Sequence, residues 1–557
     1  MVCHHNSIDL NGNKRALALG LAILSAAYLL TMPVDFTIGD SAAELSLAGS
    51  NGTPLRASHL LTTPLYSHIL LMGTLIGLEG QPLLAAQIVN IALGLASSFL
   101  LYRVLLRLGY DRHASLFLML VGGLTNAVWS HSIVAETGIH PQFFFLIAVW
   151  VLAHVISSKQ GSYVLLASCL MFLCISVLFA LYMVVFLPGT IVTLLLATRT
   201  HKDLSFFGVL GAVTGTLVVF LAIPFAVSAI SEGIHSYSGF VNWLLFHPEQ
   251  ERLSHITGIT IERLARSLGG LVAAFIDPRD GLTLVKLTLR REEFQGVGPV
   301  SLVRLCFGLV IVLSLGTASM ASLIRLGNRP MLLFCGVNLS ILFVFNAFWL
   351  GSDPQFWLPG LPLVLILAGA WLSRLRLGTH PARFGAVTGI VLLLLAMLAA
   401  NVPSELPSLL FPDGGEDVKL ARSFAAELRD GDTVLSPGGS WVNYVNFVDS
   451  PGNVRVVNLV YGNLGSGLAF YTRIDEIVDE AHLNDRRVYF EGIMGPPLAR
   501  QFGPWEMVDS LRGVSRKELI EHLNNDYLLQ EPSGFPEAGV VEVLQRSRGE
   551  QTSEGSG

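Results

Sequence analysis

Residues 37–66 read TIGDSAAELSLAGSNGTPLRASHLLTTPLY, a polar stretch between two apolar runs, and it carries Asp40, Glu44, Arg56 and His59. The run before it, Ala16–Met32, and those after it are of the kind that cross a lipid bilayer. The whole chain is 52% hydrophobic and 14% charged over 557 residues, with a mean hydropathy of +0.59. A soluble domain carries about a quarter of charged residues. The apolar runs reach the roughly 20 residues that a helix needs to cross a hydrocarbon core. Backbone groups left unpaired in lipid restrict crossing segments to helices or closed barrels, and these runs are continuous rather than alternating, so the chain reads as an α-helical polytopic membrane protein.

Taking each long apolar run as one span places helices near 16–32, 81–103, 114–132, 140–157, 161–178, 179–198, 205–229, 299–324, 330–350, 355–373 and 384–401, eleven in all. Lys and Arg in short connections mark the cytoplasmic side. Lys14 and Arg15, Arg103, Arg107 and Arg112, Lys159, Arg199 and Lys202, Arg325 and Arg329, and Arg374, Arg376 and Arg383 fall in alternate connections. The opposite connections, including 33–80 and 230–298, are then outer loops. The first run lacks a small-x-small cleavage site and reads as a retained span rather than a signal peptide. Two apolar segments with ionisable residues read as helices lying in the membrane interface, 64–80 with His68 and 259–275 with Glu262, Arg263 and Arg266.

After Asn401 the composition changes to NVPSELPSLLFPDGGED, a Pro/Gly/acidic linker. This divides the chain into a membrane domain, 1–401, and a C-terminal soluble domain, 402–557, on the outer side. Within the latter, 432–436, 454–459, 487–490 and 540–544 read as strands and 468–481 and 516–529 as helices. That alternation predicts a small α/β domain with a partly parallel sheet. Four of the five cysteines lie in apolar runs and imply no disulfide framework. No basic stripe suits nucleic acid.

The charge bias puts the candidate chemistry on the outer face. In loop one, Ser41 and Glu44 match a capping box, which accounts for Glu44 structurally but leaves Asp40 unexplained. The second outer connection, AVWSHSIVAETGIHPQFFF, brings His131, Glu136 and His140 within ten residues at the ends of two helices. A plain interfacial role suits each histidine alone, whereas Glu136 reads as functional. In FWLGSDPQFWLPGLP, Asp353 and Gln355 occupy a short outer turn, where Asp353 reads equally as a helix cap or a substrate contact. No cofactor is singled out, and a divalent metal is compatible with the acids.

Those residues carry a resemblance. GDSAAEL at 39–45, TTPLYSHILLMGTLIG at 62–77, QIVNIALGLASSFLLYRVLLRLGYDRHASLF at 87–117 and VWSHSIVAETGIH at 128–140 resemble, in this order, the GT-C superfamily of polytopic glycosyltransferases, nearest its protein O-mannosyltransferase-like branch. The turn DPQFWLPGLP resembles the family's late loop. The resemblance implies a GT-C-like membrane fold, a polyprenyl-phosphate-linked sugar as donor, an extracytoplasmic acceptor (protein, glycan or lipid), and transfer with inversion. It makes Asp40 the general base and Glu44 a further catalytic acid. Arg56, His59, His131, Glu136, His140, Asp353 and Gln355 become the substrate-binding candidates. Two departures stand out: the mid-chain helix has LFALYMVVFLPG around Tyr182 where relatives often place a histidine, and the late loop has Gln355 where many have arginine. A transporter or flippase for lipid-linked glycans, or a non-catalytic glycolipid-binding protein, is the alternative. Internal repeats and mid-membrane charges would mark a transporter, and the sequence shows neither. The lack of sorting signals points to a bacterial inner membrane.

Overall fold

The structure, a computed structural model, describes residues 10–32, 60–77, 82–134, 137–158, 162–197, 203–231, 236–237, 240, 260–277, 299–326, 330–348, 353–372, 392–401, 416–437, 445, 454–459, 464, 466–493, 508–509, 512–532 and 540–545. Helices make up the first part: α1 Leu10–Leu30, α2 Thr62–Leu75, α3 Pro82–Arg107, α4 Arg112–Gly123, α5 Asn126–Ile133, α6 Ile139–Ser157, α7 Tyr163–Phe179, α8 Leu187–Ala197, α9 Phe206–Ser231, α10 Ile261–Phe275, α11 Pro299–Leu326, α12 Pro330–Phe348 and α13 Gly360–Leu372. Leu392–Asn401 forms α14. Short 3-10 turns run over Leu181–Phe186 and Pro354–Trp357.

Each of the eleven expected spans contains helix. Among the described residues, α3, α6, α9, α11 and α12 are long and apolar enough to cross a membrane, and α4 with α5 would make a sixth. That pair is bent by 60°. Asp111 opens α4 by accepting from the amides of His113 and Ala114 at 2.9 and 3.1 Å. At the bend, Thr125 Oγ1 donates to Gly122 O at 2.6 Å, and Asn126 Nδ2 donates across to Ala273 O of α10 at 2.8 Å. Helix α6, with 67% of its apolar window buried, is the most enclosed of the five long ones. It packs between α3 and α7.

One span differs from the expectation, and one segment expected at the interface is partly enclosed. The run 179–198 is not one helix: Ala180 is extended, a 3-10 turn follows, and α8 starts at Leu187. The backbone amide of Leu61 donates to Leu178 O at 3.1 Å and so occupies a carbonyl that the break leaves without its helical partner. The segment expected at the interface over 259–275 is buried along its second half, where Val272, Ala273, Ala274 and Phe275 are enclosed against α5, α11 and α12. Its first half exposes Ile261, Leu264 and Leu268.

The C-terminal part contains α15 Glu416–Glu427, β1 Thr433–Ser436, β2 Arg455–Asn458, α16 Leu468–Leu483, β3 Val488–Phe490, α17 Arg516–Asp526, β4 Tyr527–Gln530 and β5 Val541–Gln545. The five strands form one sheet in the order β2-β1-β3-β5-β4. Strands β2, β1 and β3 are parallel, while β5 is antiparallel to both β3 and β4, which makes the sheet partly parallel as expected. The expected helix 516–529 stops at Asp526, and Tyr527–Gln530 becomes an edge strand instead. Phe470, Ile474, Ile477 and Val478 of α16 pack with Leu519 and Leu523 of α17 on one face of the sheet. Phe424 and Leu428 close the other face.

Candidate active site

Asp40, Glu44, Arg56, His59 and Glu136 lie outside the described residues. His131, His140, Asp353 and Gln355 are described, and they sit on neighbouring elements around the connection between α5 and α6.

Helix α5 is held in place from two sides. Trp129 Nε1 donates to Thr31 Oγ1, just past α1, at 2.8 Å, and Tyr28 Oη of α1 donates to Gly123 O, the end of α4 next to it, at 2.7 Å. Asn90, fully buried in α3, donates through Nδ2 to Val134 O at 2.7 Å and so fixes the end of α5. His131 is buried with its ring against Gly138, where a Cβ would come within 2.8 Å of Nδ1. A side chain at position 138 would therefore force the His131 ring to move.

His140 is fully buried one turn into the region that follows. Its ring stacks on Phe179 with centroids 5.6 Å apart and 14° between planes, and Tyr66 meets it edge-on at 5.7 Å. Phe144 continues the stack on Phe179 at 5.3 Å. Nδ1 lies 3.2 Å from Thr137 O, and Nε2 is buried with no hydrogen-bond partner among the described residues. The aromatic arrangement thus leaves one polar atom of a buried ring with unused hydrogen-bonding capacity.

The late turn joins this region through its aromatics. Phe356 meets Tyr182 with centroids 5.1 Å apart, and the 3-10 turn Pro354–Trp357 packs on α5 and α10. Asn346 Nδ2 donates to Phe356 O at 3.3 Å. Asp353 accepts from the amide of Gln355 at 2.9 Å, the helix-cap arrangement, and both side chains are half-buried. The turn at Asp353–Gln355 thus packs on α5, the helix of His131, while Phe356 meets Tyr182, three residues beyond the Phe179 on which His140 stacks.

Sequence reading missed several residues that build this region. Asn90 and Tyr66 lie within apolar stretches, and a buried polar side chain in a spanning helix is itself a signal. Asn401 gave no such signal because it stands where the composition turns to linker. It is 2% exposed and makes three bonds, donating to Leu124 O at 2.7 Å and Phe275 O at 2.8 Å and accepting from the amide of Asp277 at 2.9 Å. Asp277 also faces Arg304 of α11 at 3.7 Å. Among the described residues, no group of three His, Cys, Asp or Glu side chains is placed to hold a metal ion.

Neither a protein-family model nor any curated protein sequence matches the chain. Solved structures do match. ArnT from Cupriavidus metallidurans bound to undecaprenyl phosphate aligns with a TM-score of 0.57 at 12% identity, over 94% of this chain and 97% of that one. Its apo state aligns at 0.56 and 13% identity, over 96% and 98%. The Archaeoglobus fulgidus oligosaccharyltransferase tethered with an acceptor peptide containing the NVT sequon aligns at 0.53 and 9% identity, over 96% and 74%. The chain therefore has the fold of the GT-C glycosyltransferases, that of an integral membrane protein with a small C-terminal sheet.

Proposed function

We propose that the chain is a glycosyltransferase that moves a sugar from a polyprenyl-phosphate-linked donor to an extracytoplasmic acceptor, with inversion. The observation that carries this reading is the end-to-end likeness to a protein whose structure holds undecaprenyl phosphate. In this reading, residues 1–401 form the membrane domain of a bacterial inner-membrane protein, and residues 402–557 lie outside the cytoplasm. The acceptor oxygen or nitrogen attacks the anomeric carbon as the bond from that carbon to the phosphate oxygen breaks, and the polyprenyl phosphate leaves with the electron pair. Asp40 takes the proton of the nucleophile, with Glu44, four residues on in the sequence, as a further acid. A phosphate is a good leaving group, so a base positioned on the nucleophile is the greater need.

Arg56 and His59 are suited to the charge that develops on the leaving phosphate. His131, Glu136, His140, Asp353 and Gln355 bind the sugar and the acceptor. The packing of the Pro354–Trp357 turn on α5, which carries His131, supports the assignment. A panel of radiolabelled polyprenyl-phosphate sugars tests the reading, with wild type and Asp40→Asn assayed in parallel in lipid nanodiscs. Transfer or slow hydrolysis of one donor by wild type, with a loss of about 10²–10⁴-fold in the folded variant, is expected. Turnover unchanged in the variant would remove Asp40 as base, and no turnover with any donor would remove the enzyme reading.

A further inference from the structure

Buried hydroxyls in the helical part have a ready acceptor. Thr31, Ser98, Ser132, Thr190 and Thr193 each donate to the carbonyl four residues back in their own helix, the local bond open to Ser and Thr within a helix. Ser97 of α3 does not make it. This residue is 1% exposed, and its Oγ has no hydrogen-bond partner among the described residues. On α6, which packs along α3, Gln142 is 3% exposed and its Oε1 is likewise without a partner among the described residues. Each enclosed polar atom of this kind costs free energy comparable to a lost hydrogen bond, and native structures rarely leave one unanswered.

The two side chains line the same small cavity. It lies where α3, α6 and α13 meet, with Leu101 of α3, Leu146 of α6 and Leu361 and Leu365 of α13 forming much of the rest of its wall. Counted as room for the centre of a water molecule, its volume is about 10 Å³. On that measure one water needs about 10–15 Å³, together with two to four polar partners. The space therefore admits one water and nothing larger. Cavities that stay dry are those with wholly apolar walls, and this wall carries two polar oxygens. A single water answers both, donating one hydrogen to Gln142 Oε1 and accepting the hydroxyl proton of Ser97.

We propose that one ordered water occupies this cavity and bridges Ser97 Oγ to Gln142 Oε1, tying α6 to α3. The bridge gives α3 a hold on both helices that carry candidate histidines. Asn90 of α3 fixes the end of α5, the helix of His131, through Val134 O, and the water fixes α6 two residues beyond His140. The site does not rest on the glycosyl-transfer reading, and its test reads density and stability rather than turnover.

The experiment uses the full chain. In crystals grown from a lipidic phase, at a resolution that shows ordered waters, a rounded density peak within hydrogen-bond distance of Ser97 Oγ and Gln142 Oε1 is expected. A map that shows other buried waters and none here would overturn the proposal. Equilibrium unfolding in mixed micelles gives an independent sign. In a dry cavity, Ser97→Ala would remove an unsatisfied hydroxyl and leave the chain as stable as before or more so. With the water in place, the same change takes an anchor from it and strands Gln142 Oε1. The unfolding equilibrium constant should then rise by about threefold or more, the equivalent of one average interhelical bond. Gln142→Met, similar in length but without the amide, should act in the same direction. Because both changes break one bridge, the double variant should raise the constant by less than the product of the two single effects. An unchanged or lowered constant in Ser97→Ala, or single effects that multiply in full, would overturn the proposal. Should a variant fail to fold, the wild-type map decides alone.

Discussion

Asn401 is the side chain whose removal should cost the membrane bundle most for its size. Its amide bridges the 60° break between α4 and α5 to the end of α10, through Leu124 O and Phe275 O, and its carbonyl takes the amide of Asp277. Asn401→Ala strands two carbonyls and one amide at a site 2% exposed. Each group left without a partner costs about 1–3 kcal/mol, which sets an upper range that carbonyls with a second lone pair and half-buried Asp277 will not reach. Interhelical hydrogen bonds in membrane proteins average about 0.6 kcal/mol by double-mutant cycles, and three of these set a lower bound of about 2 kcal/mol. The expected loss is therefore about 2–4 kcal/mol. Equilibrium unfolding in mixed dodecylmaltoside and SDS micelles reads this directly. Asn401→Asp keeps the acceptor for Asp277 but turns carboxylate oxygens toward two carbonyls, so it should be at least as damaging as alanine. A loss under about 0.5 kcal/mol for alanine, within the range of ordinary surface substitutions, would refute the reasoning. So would an aspartate variant as stable as wild type, since the donors would then contribute nothing.

At Gly94→Ala, the new Cβ would lie 2.7 Å from Ser132 Cβ, between α3 and α5. The same unfolding assay should show a loss of about 1–3 kcal/mol from overpacking, and a neutral result would mean that the helices separate easily. Gly138→Ala pushes against the His131 ring and should lower transfer more than it lowers stability, measured as turnover beside melting temperature. Equal melts with equal turnover would remove His131 from the site. In the C-terminal part, burial raises the Asp475 carboxyl above its ordinary value, opposed by His522 Nε2 at 2.9 and 3.0 Å from its two oxygens. Folding thus favours the protonated acid, so its contribution is present below the unfolded value near pH 4 and is lost as pH rises through the raised folded value. Asp475→Asn should flatten the fall in stability above about pH 4, followed by urea unfolding at several pH values. Identical slopes in variant and wild type would exclude this acid as the cause.

What the sequence discloses and what it hides follow from where each constraint originates. Lipid forbids unpaired backbone, so the spans announce themselves as continuous apolar runs, and helix appears in every one of the eleven. The breaks do not announce themselves. Around Ala180 the sequence LFALYMVVF has no Gly or Pro, and the helix is interrupted where Leu61 of a distant segment meets the Leu178 carbonyl, a contact that local propensity cannot encode. In the same way YLLQ at 527–530 fits a helix or a strand by pattern. It becomes strand because β5 offers it an antiparallel edge, with Tyr527 Oη donating to Asp479 Oδ1 at 3.0 Å to hold the register.

The candidate site divides along the same line. His131, His140 and Asp353 were visible as ionisable groups at the ends of apolar runs, because a charge or imidazole at that depth demands a reason. The residues that position them were not. Asn90, Tyr66 and Asn401 act through carbonyls and ring faces 44, 74 and up to 277 residues away in the chain. The same limit held in the C-terminal part, where Ser436 and Glu491 stand 55 residues apart and only the strand order brings them together. The groups that position His131 and His140, and the strand-end pair Ser436 and Glu491, emerge only once the helices and strands are placed.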